Sequence, residues 1–330
     1  MDLPLIDLHI HMGASVAPHV MWSIAHQQGL RLPVRDYWEF LDLITVSENK
    51  VHSVEDYLGI LHKWTEKIQS SPAAIERCTY EIISKEYRGA NVTSIELRFN
   101  PMKRNLGGER DLDHIIHAAL RGMDQAVLEY GCRAGLIFCM AREFSYELNE
   151  IIVDKAIRYH ERGVVGIDLA GPETDPIERD PVALERYASL LDRARAAGLG
   201  VTIHTGETEQ TGPEGVAAAV RRLRPQRIGH GIQAARSPET MKILREEGVV
   251  LEICPSSNVW CRTIDGFEGV RETLQRFVEA SVPFTINTDG TYLLRTDLMN
   301  EFRLLHEHGI LRPEQMNECV RRARAASFLA

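Results

Sequence analysis

Short apolar stretches rich in β-branched residues recur along the chain and are separated by segments with helical periodicity. Runs of this length and composition, bounded by glycine or polar residues, are typical of strands buried on both faces of a parallel sheet. Eight segments have this character and are predicted as strands: 5–11 (LIDLHIH), 91–99, 133–141, 163–171, 200–207, 226–231, 248–255 and 282–290.

The segments between these strands repeat apolar residues at the three- and four-residue spacing of an amphipathic helix. Residues 181–198 and 237–248 are examples, and each ends on a glycine just before the next strand. Strands alternating with helices predict the α/β class and a parallel sheet closed into a (β/α)8 TIM barrel. The alternative is a doubly wound open sheet, which ordinarily brings a glycine-rich phosphate loop after its first strand. The chain contains neither G-x-G-x-x-G nor a Walker A loop.

The connection between the first two predicted strands, residues 12–90, is much the longest in the chain. Its pattern predicts several helices, including 33–45 and 53–69, and we expect them to form a lid over one end of the barrel. Aromatic residues in amphipathic segments more often pack in the core, but three in this connection are candidates for lining a pocket under the lid: Trp22, Trp38 and Phe40.

The composition is that of an ordinary globular protein, with 44% apolar and 26% charged residues in a chain of 330. We find no linker or internal repeat and predict a single domain over residues 1–330. The formal net charge of −9 argues against nucleic acid or an anionic membrane as a partner, because both would repel the protein. No apolar run approaches the roughly 18 residues of a membrane span.

The compartment is expected to be the cytoplasm. The first eleven residues, MDLPLIDLHIH, carry acid where a secretion signal carries base. Six scattered cysteines without a C-x-x-C pair favour free thiols over disulfides and exclude a zinc knuckle.

Polar residues concentrate at the carboxyl ends of four predicted strands: His9 and His11, His204 and Glu207, His230, and Asp289. In a barrel these ends meet on one face, which is where the active sites of such folds lie. Since residues two apart on a strand point the same way, His9 and His11 can reach one point together. With His204 and Asp289 they would present three imidazoles and a carboxylate, a set that suits zinc or another divalent transition metal.

Each of these residues also has an ordinary structural explanation. A single histidine at a strand end is usually only hydrogen-bonded, Glu207 would be favoured by a helix dipole, and Asp289 before a glycine would suit a turn. Their joint occurrence at the ends of four strands of one barrel favours the metal site.

Seven motifs in the same order along the chain resemble those of the adenosine deaminase family, which belongs to the metal-dependent amidohydrolase barrels. The resemblance extends from residue 5 to about residue 305, and H-T-G-E followed by G-H-G is its most specific part. The motifs are H-I-H (9–11), SIELRFNP (94–101), GIDLAGPE (166–173), HTGE (204–207), GHG (229–231), LEICPSSN (251–258) and NTD (287–289).

The resemblance implies a metal-dependent aminohydrolase that converts a 6-aminopurine nucleoside, adenosine or a modified adenosine, into the 6-oxo product and ammonia. It implies one zinc ion per chain, with four ligands: His9, His11, His204 and Asp289. Water must attack the ring carbon while a ring nitrogen gains a proton, and zinc makes the water a better nucleophile.

The resemblance also implies roles for the remaining polar residues. Together with Asp289, the catalytic residues are Glu207, which protonates the ring nitrogen N1, and His230, which faces the attacking water and takes or stabilises its proton. A carboxyl group with that role needs a raised pKa, which a closed apolar site would supply. Gly171 is expected to donate its amide to N3, and His11 is expected to contact substrate besides the metal.

Two departures from the family fall on substrate contacts. Where the family reads H-L-D-G, this chain has Gly13 in place of the aspartate that holds the ribose hydroxyl. Where the family reads T-D-D, it has Gly290 in place of the aspartate that holds the purine N7. A neighbouring residue must take over N7 or the substrate must differ. The candidates for that contact are Thr291, Tyr292, Ser256, Ser257 and Asn258.

Several alternatives remain open on the sequence alone. Adenine, which has no ribose, and 6-aminodeoxyfutalosine, which is modified on the 5′ side, both fit the missing ribose contact. A different amidohydrolase, cleaving an amide or ester, would not need Glu207 to protonate a ring nitrogen. A non-catalytic nucleoside-binding relative would be favoured by the loss of a ligand or of His230, and neither is lost. The expected partner is a small purine in each of the favoured cases, and the oligomeric state is open.

Overall fold

Eight parallel strands form the centre of the protein in a computed structural model that describes residues 4–106, 108, 111–174 and 176–329. The strands are β1 (Leu5–His11), β2 (Val92–Phe99), β3 (Arg133–Ala141), β4 (Val164–Ala170), β5 (Gly200–Thr205), β6 (Arg227–His230), β7 (Val250–Ile253) and β8 (Phe284–Ile286).

Each strand pairs with the next one in the sequence, and the end of β8 returns to β1. The amide of His11 donates to the carbonyl of Asp289 at 2.7 Å, and the amide of Asp289 donates to the carbonyl of His9 at 2.7 Å. The predicted (β/α)8 barrel is therefore confirmed, and the open doubly wound sheet is excluded.

The last strands are shorter than predicted at their carboxyl ends. We predicted strands over 200–207 and 282–290, whereas β5 ends at Thr205 and β8 at Ile286. Gly206, directly after β5, has φ of 69°, and Asp289, in the loop after β8, has φ of 63°. These left-handed conformations turn the backbone out of the extended region, so Glu207 and Asp289 lie in loops, whereas His204 remains in β5.

Helices surround the barrel and fill the long first connection. Within the described ranges they are α1 (Pro18–Gln27), α2 (Tyr37–Ile44), α3 (Val54–Ile60), α4 (Glu66–Ile68), α5 (Pro72–Ala90), α6 (Leu112–Tyr130), α7 (Tyr146–Arg158), α8 (Pro181–Ala196), α9 (Gly212–Leu223), α10 (Pro238–Glu246), α11 (Pro255–Trp260), α12 (Gly266–Glu279), α13 (Leu298–Glu307) and α14 (Pro313–Ala326).

The two helices predicted in the first connection are present with different ends. The predicted helix 33–45 begins only at Tyr37, because the side chain of Asp36 accepts from two amides of the first turn and caps it. The predicted helix 53–69 consists of α3, a π-helical turn over Leu61–Thr65, and α4. Ser53 caps its first turn, since its side chain accepts from the amide of Asp56.

The aromatic residues of this connection pack as core residues or lie on the surface. Phe40 is fully buried, and Trp22 packs against the same core cluster. Trp38 is 73% exposed. The expectation that such aromatics belong to the core holds for Phe40 and Trp22, and the pocket described below is lined by other residues of this connection.

The chain's last residues cover the amino-terminal end of the barrel. Ser327 and the amide of Phe328 both donate to Glu96 in β2, at 2.7 and 2.6 Å. The guanidinium of Arg227 lies 3.6 Å from the ring centre of Phe328.

Elsewhere, all six cysteines are buried free thiols. Among the described residues, no helix is both long and apolar enough to cross a bilayer.

Candidate active site at the carboxyl ends of the strands

Four side chains from three strand ends converge where the sequence predicts a metal site. Nε2 of His11 lies 3.1 Å from Nε2 of His204 and 3.5 Å from Oδ1 of Asp289. Nε2 of His9 lies 3.8 Å from the same carboxylate oxygen. These atoms surround one point, so the barrel brings together the four residues that were predicted as ligands from the sequence.

Two of these imidazoles are held by carboxylates behind them. Nδ1 of His9 donates to Glu252 at 2.8 Å, and Nδ1 of His204 donates to Asp168 at 3.0 Å. A proton on Nδ1 leaves the Nε2 lone pair directed at the cluster, which is the usual arrangement around a metal ion. Nε2 of His9 is buried and has no hydrogen-bond partner. Such an orphaned acceptor is costly unless a cation completes it, so the donor set fits a divalent metal.

Arg98 joins the two carboxylates. It is fully buried and donates to Asp168 at 3.0 Å and to Glu252 at 2.8 Å. No role for Arg98, Asp168 or Glu252 was predicted from the sequence, although all three lie in the quoted family motifs. Their signal is that each is a charged residue within a strand predicted to be buried, where a charge must be paired.

Burial changes the charge preference of the cluster. Burial lowers the pKa of three imidazoles well below the usual value and raises the pKa of the Asp289 carboxyl. Those imidazoles belong to His9, His11 and His230. Neutral imidazoles are the form that binds a metal, and a bound cation supplies the positive charge that an ionised Asp289 requires.

His230 is held above the cluster in a strained backbone conformation. Its φ is 59°, a left-handed value that is uncommon outside glycine. A side chain at Gly229 would place its Cβ 2.9 Å from His9 and 3.2 Å from His204, so glycine is required for the close approach of the rings. The amide group of Asn258 lies 3.0 Å from Nδ1 of His230 and orients the imidazole.

Glu207 lies beside His230 in the same pocket. Its Oε2 is 3.7 Å from Nε2 of His230, and the residue is only 8% exposed. Burial raises the pKa of the Glu207 carboxyl well above its usual value, and the negative charges of Asp289 and Glu173 raise it further. The raised pKa predicted from the sequence is therefore present, and it favours a protonated carboxyl at neutral pH.

The backbone around this carboxyl is fixed by Glu173 of the GIDLAGPE motif. One carboxylate oxygen of Glu173 accepts from both the amide and the hydroxyl of Thr208 at 2.7 Å. The same motif brings Gly171 to the pocket wall with φ of 108°. A Cβ there would lie 3.2 Å from the amide nitrogen of Arg142 and 2.5 Å from the end of the flexible Glu143 side chain, so the backbone angle is the main reason for glycine.

The outer wall of the pocket comes from the long first connection, as the lid hypothesis predicts. Three apolar lid residues from α3 and the turn after it, Val54, Leu58 and Leu61, line the pocket with Tyr57. Leu61 also fills space that Gly13 leaves, because a Cβ at Gly13 would lie 2.7 Å from it.

A group of charged residues lines the pocket next to Gly13. Nη2 of Arg104 lies 3.0 Å from the position of a Cβ on Gly13, and the same guanidinium pairs with Glu66 at 2.5 Å. Nζ of Lys103 lies 3.3 Å from His62, which in turn lies 2.6 Å from Glu66. Lys103 also pairs with Glu143 at 2.5 Å, so each of the two permanent cations has one carboxylate partner.

The five residues predicted from the sequence as candidates for the contact to the purine N7 do not line the pocket. Ser257 donates to Oδ2 of Asp289, Asn258 contacts His230, and the amide of Ser256 donates to Glu301. Thr291 and Tyr292 follow Gly290 but are not among the residues that line the pocket. The structure brings none of these five to the pocket wall.

A family model described as adenosine deaminase matches residues 4–330 of the chain. The chain belongs to the adenosine deaminase family. A relative from Enterococcus faecalis, named adenosine deaminase, is 32% identical over 329 residues, which cover 100% of this chain and 93% of that protein. The resemblance drawn from the motifs is thus confirmed, and the chain is a metal-dependent aminohydrolase of this family.

Two solved structures share the fold of this family member. Adenine deaminase from Arthrobacter aurescens has a TM-score of 0.86 at 20% identity, covering 99% of this chain and 94% of that one. An amidohydrolase from Burkholderia ambifaria with bound zinc has a TM-score of 0.86 at 23% identity, covering 99% of this chain and 86% of that one. At these identities the likeness establishes the fold.

Proposed function

We propose that the protein is a zinc-dependent deaminase of a 6-aminopurine nucleoside, and that His9, His11, His204 and Asp289 hold the metal. The observation that carries the proposal is the combination of this donor cluster with a buried, proton-retaining carboxyl at Glu207. When bound, zinc supplies a water molecule activated for attack at neutral pH. A hydrolase of amides or esters has no use for a second, protonated carboxyl at this place.

Glu207 donates its proton to N1 of the purine. Gaining that proton withdraws electrons from the adjacent C6, which makes the carbon open to attack by water. The raised pKa means that Glu207 carries the proton before the reaction begins, and the closed pocket keeps it from bulk water.

His230 receives the proton that the attacking water gives up. Its lowered pKa keeps the imidazole neutral and able to accept. As the C6–oxygen bond forms and the C6–nitrogen bond breaks, the amino group must gain a proton and leaves as ammonia. His230 is positioned by Asn258 to carry the proton between these groups. The second proton of the water leaves the new oxygen and restores the Glu207 carboxyl, which gives the 6-oxo product.

The amide of Gly171 is assigned to N3 of the purine, and His11 to the face of the substrate next to the metal. Both residues line the pocket, and the loop that carries Gly171 follows β4, next to β5, which precedes Glu207. This order matches the positions of N3 and N1 on one edge of a purine.

The cations near Gly13 favour a second candidate substrate, a 6-aminopurine nucleoside with a negatively charged group on its 5′ side. Arg104 and Lys103 line the wall where the family places a ribose-binding aspartate. Position 13 has lost a carboxylate, and the two cations, paired with Glu66 and Glu143, remain as charged hydrogen-bond donors. A carboxylate or a phosphate on the sugar would accept charge-assisted hydrogen bonds from them, which are stronger than those of a neutral hydroxyl.

Ammonia release from the zinc-loaded enzyme tests both candidates, with adenosine, 2′-deoxyadenosine, adenine, 6-aminodeoxyfutalosine and adenosine 5′-monophosphate as substrates. We expect turnover of at least one nucleoside and a loss of several orders of magnitude in Glu207→Gln, which keeps the shape but cannot supply the proton. Inactivity of the wild type on all five compounds would refute the proposed function.

The same panel separates the two candidates. A higher kcat/KM for 6-aminodeoxyfutalosine or adenosine 5′-monophosphate than for adenosine would assign the wall of Lys103 and Arg104 to an anionic group. Fast turnover of adenosine with silence on both anionic compounds would show that the loss of the aspartate at position 13 is compensated locally. Turnover of adenine alone would exclude a nucleoside.

A further inference from the structure

The loop after β8 is packed so closely that Gly290 has no room for a side chain. A Cβ at this position would lie 2.4 Å from Cβ of Ala14 and 2.7 Å from the hydroxyl oxygen of Tyr57. Ala14 stands where the family motif H-L-D-G has its glycine. The loop after β1 has therefore gained a side chain at this contact, and the loop after β8 has lost one. The space beside Asp289 is taken by Tyr57 instead of by a carboxylate.

The hydroxyl group of Tyr57 is a buried donor without a partner. The residue is 5% exposed and lines the pocket, and its oxygen has no hydrogen bond to any described residue. A buried hydroxyl left unpaired costs free energy, so its retention points to a ligand that pairs with it. Burial and the nearby negative charge of Asp289 raise the pKa of the phenol well above 10, so the group keeps its proton.

The order of strands around the barrel decides which purine edge this hydroxyl faces. C6 of the substrate must lie over the metal cluster, and the proposed function places N1 toward Glu207 after β5 and N3 toward Gly171 after β4. N1 and N3 lie on one edge of a purine, and N7 lies on the opposite edge. The opposite side of the pocket is where the loops after β8 and β1 meet, beside Gly290 and Ala14.

We propose that Tyr57 is a substrate-binding residue that donates a hydrogen bond from its hydroxyl to N7 of the purine. The inference rests on the proposed function, since the edge is assigned from the places of Glu207 and Gly171. It also assigns part of the substrate specificity to the lid, because Tyr57 lies on α3 and not on a barrel strand. The helix that covers the pocket then also recognises the imidazole ring of the base.

The test compares two ligands that differ only at this position, inosine and 7-deazainosine, bound to the zinc-loaded protein. N7 is a nitrogen acceptor in inosine and a C–H group in the 7-deaza compound. We expect wild type to bind inosine more tightly by about fivefold, the size of one ordinary hydrogen bond. In Tyr57→Phe the ratio of dissociation constants should fall to about one, because inosine alone loses its contact.

Thr291→Val is the matched control, since it removes the hydroxyl of a buried residue directly after Gly290 that does not line the pocket. The fivefold ratio should persist in this variant. Thermal unfolding gives a second readout, because Tyr57→Phe removes an unpaired hydroxyl and should leave Tm unchanged or raised. A structural role for the hydroxyl would lower Tm instead.

The contact would be overturned if wild type bound both ligands equally, or if the fivefold ratio persisted in Tyr57→Phe. Ammonia release that depends on Glu207 would still support the proposed function in that case. Absence of ammonia release from every aminopurine would overturn both. A lowered Tm in Tyr57→Phe together with an unchanged ratio would assign the hydroxyl to the fold.

Discussion

Single glycines determine how closely the side chains of this site approach one another. Gly229 lies under two of the proposed metal ligands, and Gly290 lies against the tip of β1 and the lid. His230 and Asp289 adopt left-handed backbone conformations next to these glycines. Strain of this kind persists where the surrounding structure imposes it, and it is common where side chains must be aimed at a reacting centre.

Gly229→Ala should weaken zinc binding without unfolding the protein. The added methyl group would lie 2.9 Å from Cε1 of His9 and 3.2 Å from Cγ of His204, so both rings must move. We expect a loss in zinc affinity of about tenfold or more, the size seen when ligands lose their orientation. Competition with a chromogenic chelator measures it. Gly89→Ala, whose added methyl would meet only the end of Lys85 at 4.0 Å, is the control. Equal zinc affinity in both variants would contradict the assignment of His9 and His204 as ligands.

Short elements after the strands carry residues that orient the proposed catalytic ones. Helix α11 follows β7 directly and brings Ser257 to Asp289 and Asn258 to His230. Its first turn is held from behind by Glu301 of α13, which accepts from the amide of Ser256 at 3.0 Å. Glu301 also accepts from Thr296 and is fully buried. The position of α11 therefore depends on a carboxyl group outside the pocket.

Glu301 makes the stability of the protein depend on pH. Burial raises the pKa of its carboxyl from 4.5 to about 7, so the folded state holds the proton more tightly than the unfolded state does. The stabilising effect is complete below about pH 4.5 and is lost as the pH rises through about 7. In Glu301→Gln this loss is absent, so the variant should be more stable than wild type at pH 8 by up to about 3 kcal/mol.

Urea unfolding at pH 5 and pH 8 checks the sign of this effect. The difference in the free energy of unfolding between Glu301→Gln and wild type should grow in favour of the variant from pH 5 to pH 8. Glu246→Gln, a change at an exposed residue of α10, should show no such trend. A difference that is constant over this range would mean that Glu301 titrates normally.

The residues proposed for the reaction and those that only stabilise the fold lie at opposite ends of the barrel. The carboxyl ends of the strands carry the cluster and the pocket, and the amino ends are covered by the last residues of the chain. Between them, Arg98 and Arg227 both contact Glu252, which links the two ends through buried ion pairs. Since catalytic residues of such barrels lie at the carboxyl ends, changes at the other end should affect folding alone.

Phe328→Ala should lower stability while kcat/KM of the folded protein stays unchanged. The ring of Phe328 packs onto Gly166 and Gly200 at the amino end of the barrel and stacks with Arg227. Losing its contact area should cost about 2 kcal/mol, visible as a lower Tm. Trp38→Ala is the comparison, since an aromatic side chain that is 73% exposed should cost little. A fall in kcat/KM at a temperature where the Phe328 variant remains folded would contradict the separation of the two ends.

The fold and the candidate metal cluster could largely be predicted from the sequence. Apolar runs, helical periodicity and the polar residues at the strand ends are local patterns, and one topological rule places all strand ends on the same face. That is why four residues as far apart as His9 and Asp289, which are separated by 280 positions, could be predicted as neighbours and were found together. The other two are His11 and His204. The ends of the strands were predicted less well from the sequence, because the left-handed turns at Gly206 and Asp289 depend on the loops that pack there.

Contacts between residues far apart in the sequence were decided by the tertiary structure. Arg98, Asp168 and Glu252 belong to different strands, and only the closed barrel shows that one arginine joins the carboxylates behind two histidines. The proposed contact to N7 was sought within a few residues of Gly290, whereas the hydroxyl beside that glycine belongs to Tyr57. Local sequence patterns report the direction and burial of a residue's own segment. They do not report which distant side chain fills the space that a glycine leaves, because that depends on how two separate loops pack against each other.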